Sequence, residues 1–239
     1  MFKFLFSFFS FVYFFNSNSP AQETSVYLLP TLHGLHKTNP NYDYESLRRI
    51  VDSLAPDVIA VEMRQFDVGQ DSVYLSANYP FEMRMMRNWF PGKQVVGFDW
   101  LGDDIEQKRI PPNYWKSVSP IKRYERELDA DSFYSSKTSL CDSFSKRRLE
   151  ILKTQSLKDI LKSEDSRLVV AFYACLAKQL TGSIHSRVLA FYEMRNKKMS
   201  GNLQSLILSV PGKKIVVLTG DDHYAFLKQS IIHLPVFSD

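Results

Sequence analysis

Lys214-Ile215-Val216-Val217-Leu218-Thr219-Gly220-Asp221-Asp222-His223 is the stretch from which the fold can be read. Four consecutive aliphatic residues lie between a lysine and a glycine turn. The run is too short for a helix and reads as a strand buried on both faces. At Gly220 the character changes abruptly: two carboxylates and an imidazole follow, and a helical pattern resumes at about Tyr224. An apolar strand that ends in titratable groups suits a parallel sheet, whose carboxyl edge is where ligands gather.

Three other segments share this plan. Val26–Leu29 is an apolar run ended by Pro30, Val58–Val61 is closed by Glu62, and Gln94–Phe98 is followed by Asp99. Helical patterns separate them. Asp43 is placed to cap a helix in which Leu47, Ile50, Val51 and Leu54 recur at one face, and Pro56 marks its end. Phe81 to Phe90 reads as a second helix, stopped by Pro91-Gly92. Arg167 to Met199 carries a long helical pattern broken near Thr181-Gly182, with His185, Val188, Tyr192, Arg195 and Met199 on one face of its second half. The expected fold is α/β, with a central, mostly parallel sheet flanked by helices. Leu234-Pro235-Val236-Phe237 reads as a short last edge strand.

Residues 101–165 differ. This region is charged and aromatic, is punctuated by Pro111-Pro112 and Ser119-Pro120, and shows no strand signal. Helix is expected in it, for example over Lys146–Leu161. It reads as a helical insertion, either a lid or wall over the site or a solvated elaboration.

The first residues have the anatomy of a secretory signal peptide: Lys3, an apolar run from Phe4 to Phe15, and a small-residue cleavage site at Ser19-Pro20-Ala21. The run is about a dozen residues, against roughly 20 needed to span a bilayer. Residues 1–21 are therefore expected to be a leader and 22–239 one α/β domain, exported to the periplasm or the extracellular space. Membrane attachment is expected only through an uncleaved leader. Export permits a disulfide between Cys141 and Cys175. Spacing does not establish it, and Cys175, in the apolar run Leu168–Leu180, reads more simply as a small buried hydrophobe. The net charge of +4 is small and spread along the chain, which gives no basis for a nucleic-acid partner.

If the strands are parallel, His33, Glu62, Asp99 and His223 meet at one sheet edge. Imidazoles and carboxylates are the usual ligands of divalent zinc, manganese, iron or cobalt, and such an ion with an open position activates water. The same residues serve a metal-free mechanism in which a histidine is the general base and a carboxylate orients it. Each also has a plainer reading. His33 and His36 sit in a loop, Glu62 is placed to pair with Arg64, and Asp221 or Asp222 to cap a helix. His185, on an apolar helical face, reads as structural.

These residues also resemble the TraB/GumN–Tiki superfamily, which includes erythromycin-esterase-like and ChaN-like proteins. Gly220-Asp221-Asp222-His223 matches the second Gly-x-x-His motif of that superfamily, and Pro30-Thr31-Leu32-His33 stands at the place of the first, with proline for glycine. Ala55-Pro56-Asp57 through Glu62 is similar to its "Pro-Asp, apolar strand, Glu" signature, and Arg195-Asn196 with Met199 to its Arg-Asn-x-x-Met segment. The resemblance implies a divergent member whose catalytic and metal-ligating residues are His33, Glu62 and His223. Arg64 and Arg195 would bind an anionic group or an oxyanion, with Asp99 beside them. It implies an exported hydrolase acting on a peptide or ester carbonyl, with or without a divalent ion (Mn, Co, Zn or Fe). The partner is then a peptide or small-molecule substrate; the oligomeric state is left open. A non-enzymatic haem- or metal-binding protein and a catalytically inactive relative are the alternatives.

Overall fold

The computed structural model describes residues 24–231. The leader and the expected strand at 234–237 lie outside them. Four strands, β1 (Ser25–Thr31), β2 (Val58–Val61), β3 (Gln94–Gly97) and β4 (Lys214–Gly220), form one sheet in the order β1-β4-β2-β3, with every pairing parallel. The last strand therefore lies between the first two. Val26 faces Ile215 and Thr31 faces Gly220 on one side, while Val61 faces Leu218 on the other. Proline does not end β1, which runs through Pro30 to Thr31. The strand is at an edge, where a missing N–H is tolerated, and the Pro30 carbonyl accepts a hydrogen bond from the buried Tyr42 hydroxyl.

Helices cover both faces, as continuous apolar strands require. On one face lie α1 (Tyr44–Leu54), α2 (Ser72–Asn78) and α3 (Phe81–Trp89). Asp43 caps α1 by accepting from the Ser46 N–H, and Leu47 and Val51, one turn apart, enter the core with Ile59, Val61, Met83 and Met86. The seven-residue α2 is too short to show a period, so only its Asp71 cap marks it in the sequence.

The insertion is helical, and among its described residues there is no strand. It comprises α4 (Pro120–Ala130), α5 (Ser132–Thr138), α6 (Asp142–Thr154) and α7 (Leu157–Lys162). The segment anticipated as one helix over 146–161 is two, because Ser156 turns out of the first and caps the second through the Asp159 N–H. Next come α8 (Asp165–Leu180), α9 (Arg187–Ser209) and α10 (Asp221–Ile231), with a break between α8 and α9 at Thr181-Gly182. Met199, Leu203, Leu206 and Ile207 of α9 and Leu227 and Ile231 of α10 pack on the second sheet face against Val26, Ala60 and Val217. The insertion is not a detached elaboration: Ile151, Leu152, Leu157 and Ile160 join the first-face core, and Asn39 donates to the carbonyls of Leu152 and Gln155.

Cys141 and Cys175 form a disulfide between the start of α6 and α8, so the reading of Cys175 as a lone small hydrophobe does not hold. The bridge closes a loop of 34 residues. Constraint of the unfolded chain by such a loop is worth about 3–4 kcal/mol. A Cys141→Ser, Cys175→Ser variant is therefore expected to lose stability of that order in urea unfolding, with the far-ultraviolet circular dichroism of the folded state retained.

Candidate functional site

Because β4 separates β1 from β2, the residues that follow these three strands arrive side by side. Glu62 closes β2 with its side chain buried. Its Oε2 accepts from the Thr219 hydroxyl at 2.7 Å and from the Gly220 N–H at 2.6 Å. Its Oε1 accepts from Arg195 Nη2 at 2.9 Å, and His223 Nε2 lies 3.7 Å from the same oxygen. Burial opposes ionisation of Glu62, but His223, which is protonated in the acid range where this carboxyl titrates, the charges of Arg195 and His33, and the Thr219 hydrogen bond hold its carboxyl well below the usual range. It is a fixed carboxylate.

His223 does not precede the last helix as expected. Helix α10 begins at Asp221, directly after the strand, so His223 lies in its first turn. Two aspartates at that end offset the helix dipole and make the early start favourable. His223 Nδ1 is 2.5 Å from Asn196 Oδ1, to which it donates, and Nε2 lies on the Glu62 side of the ring. Burial pushes the His223 pKa down, which favours the neutral ring.

His33 is the opposite case. Its backbone is left-handed, with φ of 50°, an uncommon state for a side chain of this size and one that clusters at functional sites. Its ring is 39% exposed at the rim, while Nδ1 is 2.7 Å from Oε1 of the fully buried Glu82. Burial lowers the pKa, but the hydrogen bond to Glu82 and the charges of Glu82, Glu62 and Asp221 outweigh it and bring His33 to about 9. Its Nε2 points at the end of β4: a Cβ on Gly220 would lie 2.6 Å from His33 Nε2 and 3.5 Å from Glu62 Oε2. A side chain at 220 would therefore displace the His33 ring from this position.

Arg195 and Asn196 lie one turn before Met199, so the face of α9 that buries Met199 also presents them to this edge. Arg195 makes a two-pronged pair with Asp99, Nε to Oδ1 at 2.8 Å and Nη2 to Oδ2 at 2.9 Å, and so joins Asp99 to Glu62. Arg64 is not brought to the cluster. It does not pair with Glu62; its guanidinium is buried against Asp67 and donates to the carbonyls of Ile105 and Lys108, which fixes the 99–110 loop. His36 is not exposed either. It is buried, donates from Nδ1 to the Tyr42 carbonyl and accepts the Leu32 N–H at Nε2, holding the turn that presents His33. His185 pairs with Asp131 in the insertion, away from this cluster.

No protein family, curated protein or solved structure matches this chain.

Among the described residues, no three His, Cys, Asp or Glu side chains are arranged to hold a metal ion. Glu62 has three of its roughly four acceptor positions taken by protein donors, and one donor is a fixed guanidinium. The donor set therefore suits proton transfer better than cation binding. A cavity of about 420 Å³ is walled by Arg64, Gln65, Asp99, Trp100, Asn202 and Ser205; it meets the cluster at Asp99 and is not lined by His33, Glu62 or His223. No helix among the described residues is long and apolar enough to cross a membrane.

Sequence reasoning missed Glu82, Thr219 and Arg148. Arg148 reaches the cluster's periphery through Asp221 and Asp222. Glu82 had a readable signal, since it shares the buried helical face with Met86. Arg148 had none, because its partners are 73 and 74 residues away.

The folded-state pKa of His33 lies above its ordinary 6.5. The His33–Glu82 pair therefore contributes fully below about pH 6.5, and that stability is lost as the pH rises through about 9. Glu82→Gln is expected to remove this dependence and to return the His33 titration, followed by NMR, toward 6.5.

Proposed function

We propose that this chain is a hydrolase acting on a peptide or ester carbonyl, with neutral His223 as the proton-transferring base and protonated His33 as the donor to the carbonyl oxygen. The observation that carries the reading is the opposed fixing of the imidazoles. Glu82 holds Nδ1 of His33 and Asn196 holds Nδ1 of His223, leaving Nε2 of His223 3.7 Å from the ionised Glu62 and Nε2 of His33 against Gly220 at the end of β4. Their surroundings push the two rings apart, one toward the cation and one toward the neutral base, which is how acid and base roles are divided at one pH.

In this mechanism His223 Nε2 removes a proton from water as the oxygen attacks the carbonyl carbon. Glu62 stabilises the imidazolium that results. His33, at the rim, donates a hydrogen bond from Nε2–H to the carbonyl oxygen as negative charge develops there. Collapse of the tetrahedral species returns the proton from His223 to the leaving nitrogen or oxygen. Arg195 acts by fixing Glu62 and Asp99, since its donors are turned to those carboxylates. The ordered resemblance to the TraB/GumN–Tiki superfamily supports the same reaction class. Fold alone would not, because one architecture hosts many activities. An exported location, as the leader suggests, would place the substrate outside the cytoplasm.

A panel of chromogenic esters and peptides tests the proposal. Glu62→Gln and His223→Ala are each expected to lower kcat/KM by about 10²–10⁴ while unfolding stays cooperative. A chelator is expected to leave the rate of the wild type unchanged. Undiminished turnover in both variants would rule out the assignment, and loss of activity with the chelator would favour the metal-dependent form.

A further inference from the structure

We propose that Arg148, supplied by the helical insertion, is a positioning residue for this site: it clamps the first turn of α10 and so holds His223 facing Glu62. The inference rests on the acid–base reading above. Arg148 is buried, and every edge of its guanidinium is used. Nε donates to Asp165 Oδ1 at 3.0 Å, Nη2 donates to Asp221 and Nη1 to Asp222. Asp165 belongs to α8, while Asp221 and Asp222 are the first two residues of α10.

The need for a clamp comes from the strand-to-helix junction. No loop separates β4 from α10, so a small tilt of the helix about Gly220 moves His223 as a lever. His223 depends on two lengths, 2.5 Å to Asn196 and 3.7 Å to Glu62. The two aspartates alone would complement the helix dipole wherever the helix pointed. A planar guanidinium gripping both fixes direction as well. Buried ion pairs add little net stability against their desolvation cost and are better suited to setting geometry. Arg148 itself stands on a braced support, since α6 is tied to α8 by Cys141–Cys175 and by the Asp165 contact.

The test compares Arg148→Met, Arg148→Lys and Asp165→Asn in the mature chain with ¹⁵N-labelled histidine. In the wild type the ring nitrogens of His223 should show the single Nδ1–H tautomer. Arg148→Met is expected to convert this to a mixture. It should also lower kcat by about 10- to 100-fold, as a displacement of the order of 1 Å does, with KM changed less than about threefold. Arg148→Lys should recover part of both effects. Asp165→Asn, which loosens α6 from α8 but leaves the grip on α10, should keep the His223 spectrum of the wild type. An unchanged His223 tautomer in folded Arg148→Met overturns the proposal. So does an equal disturbance by Asp165→Asn, which would mean a merely structural role. If Arg148→Met does not fold, Asp222→Asn removes the exposed half of the clamp and carries the same two outcomes. A wild type without turnover would sink the hydrolase reading, while the NMR comparison would still decide the clamp.

Discussion

A single buried carboxylate organises this molecule. Glu62 ends a strand that is apolar throughout, and an uncompensated charge there would cost several kcal/mol. Its compensation comes from the Thr219 hydroxyl and Gly220 N–H of β4 and from the guanidinium of Arg195 on α9. Satisfying Glu62 therefore fixes the register between β2 and β4 and the placement of α9 along the sheet. It also places Asn196, the next residue on α9, against the imidazole of α10. Stability and the arrangement of reactive groups are consequences of the same hydrogen bonds.

Much of this was legible in the sequence, and the rest was hidden for identifiable reasons. The strands were readable because burial on both faces leaves continuous apolar runs such as Ile215–Leu218, and parallel pairing followed from the intervening helices. His33, Glu62, Asp99 and His223 could be placed at one edge because each follows a strand. What the one-dimensional pattern does not carry is which way a polar side chain turns. Glu62 has Arg64 two residues away in sequence, and a straight extended chain would put both on one face, yet the chain bends at Glu62 and Met63 as β2 ends, which sends the two to different surroundings, and Arg195 is the partner. His33 and His36 look alike in the loop, yet the turn buries His36 and leaves His33 at the rim. Arg148 belongs to a region with no pattern beyond helix, and its partners are found only once α10 folds beside it.

The insertion also changes character in this light. Its helices share the first-face core, its Asn39-bound end fastens the loop that carries His33, and its guanidinium meets the helix that carries His223. The turn that carries His33 and the helix that carries His223 are thus both fastened by one short stretch of the insertion, residues 148–155, which a covalent crosslink ties to α8.

The strand order has one more consequence, for how the protein comes into being. Since β4 lies between β1 and β2, those two cannot pair with each other in the native sheet, and a growing polypeptide has no partner to lay between them until β4, about 150 residues after β2, has been made. Contacts between segments so far apart in the chain form slowly and leave strand edges uncovered meanwhile. The sheet therefore stays open through most of the synthesis of this region, and His33, Glu62 and His223 meet only when β4 closes it.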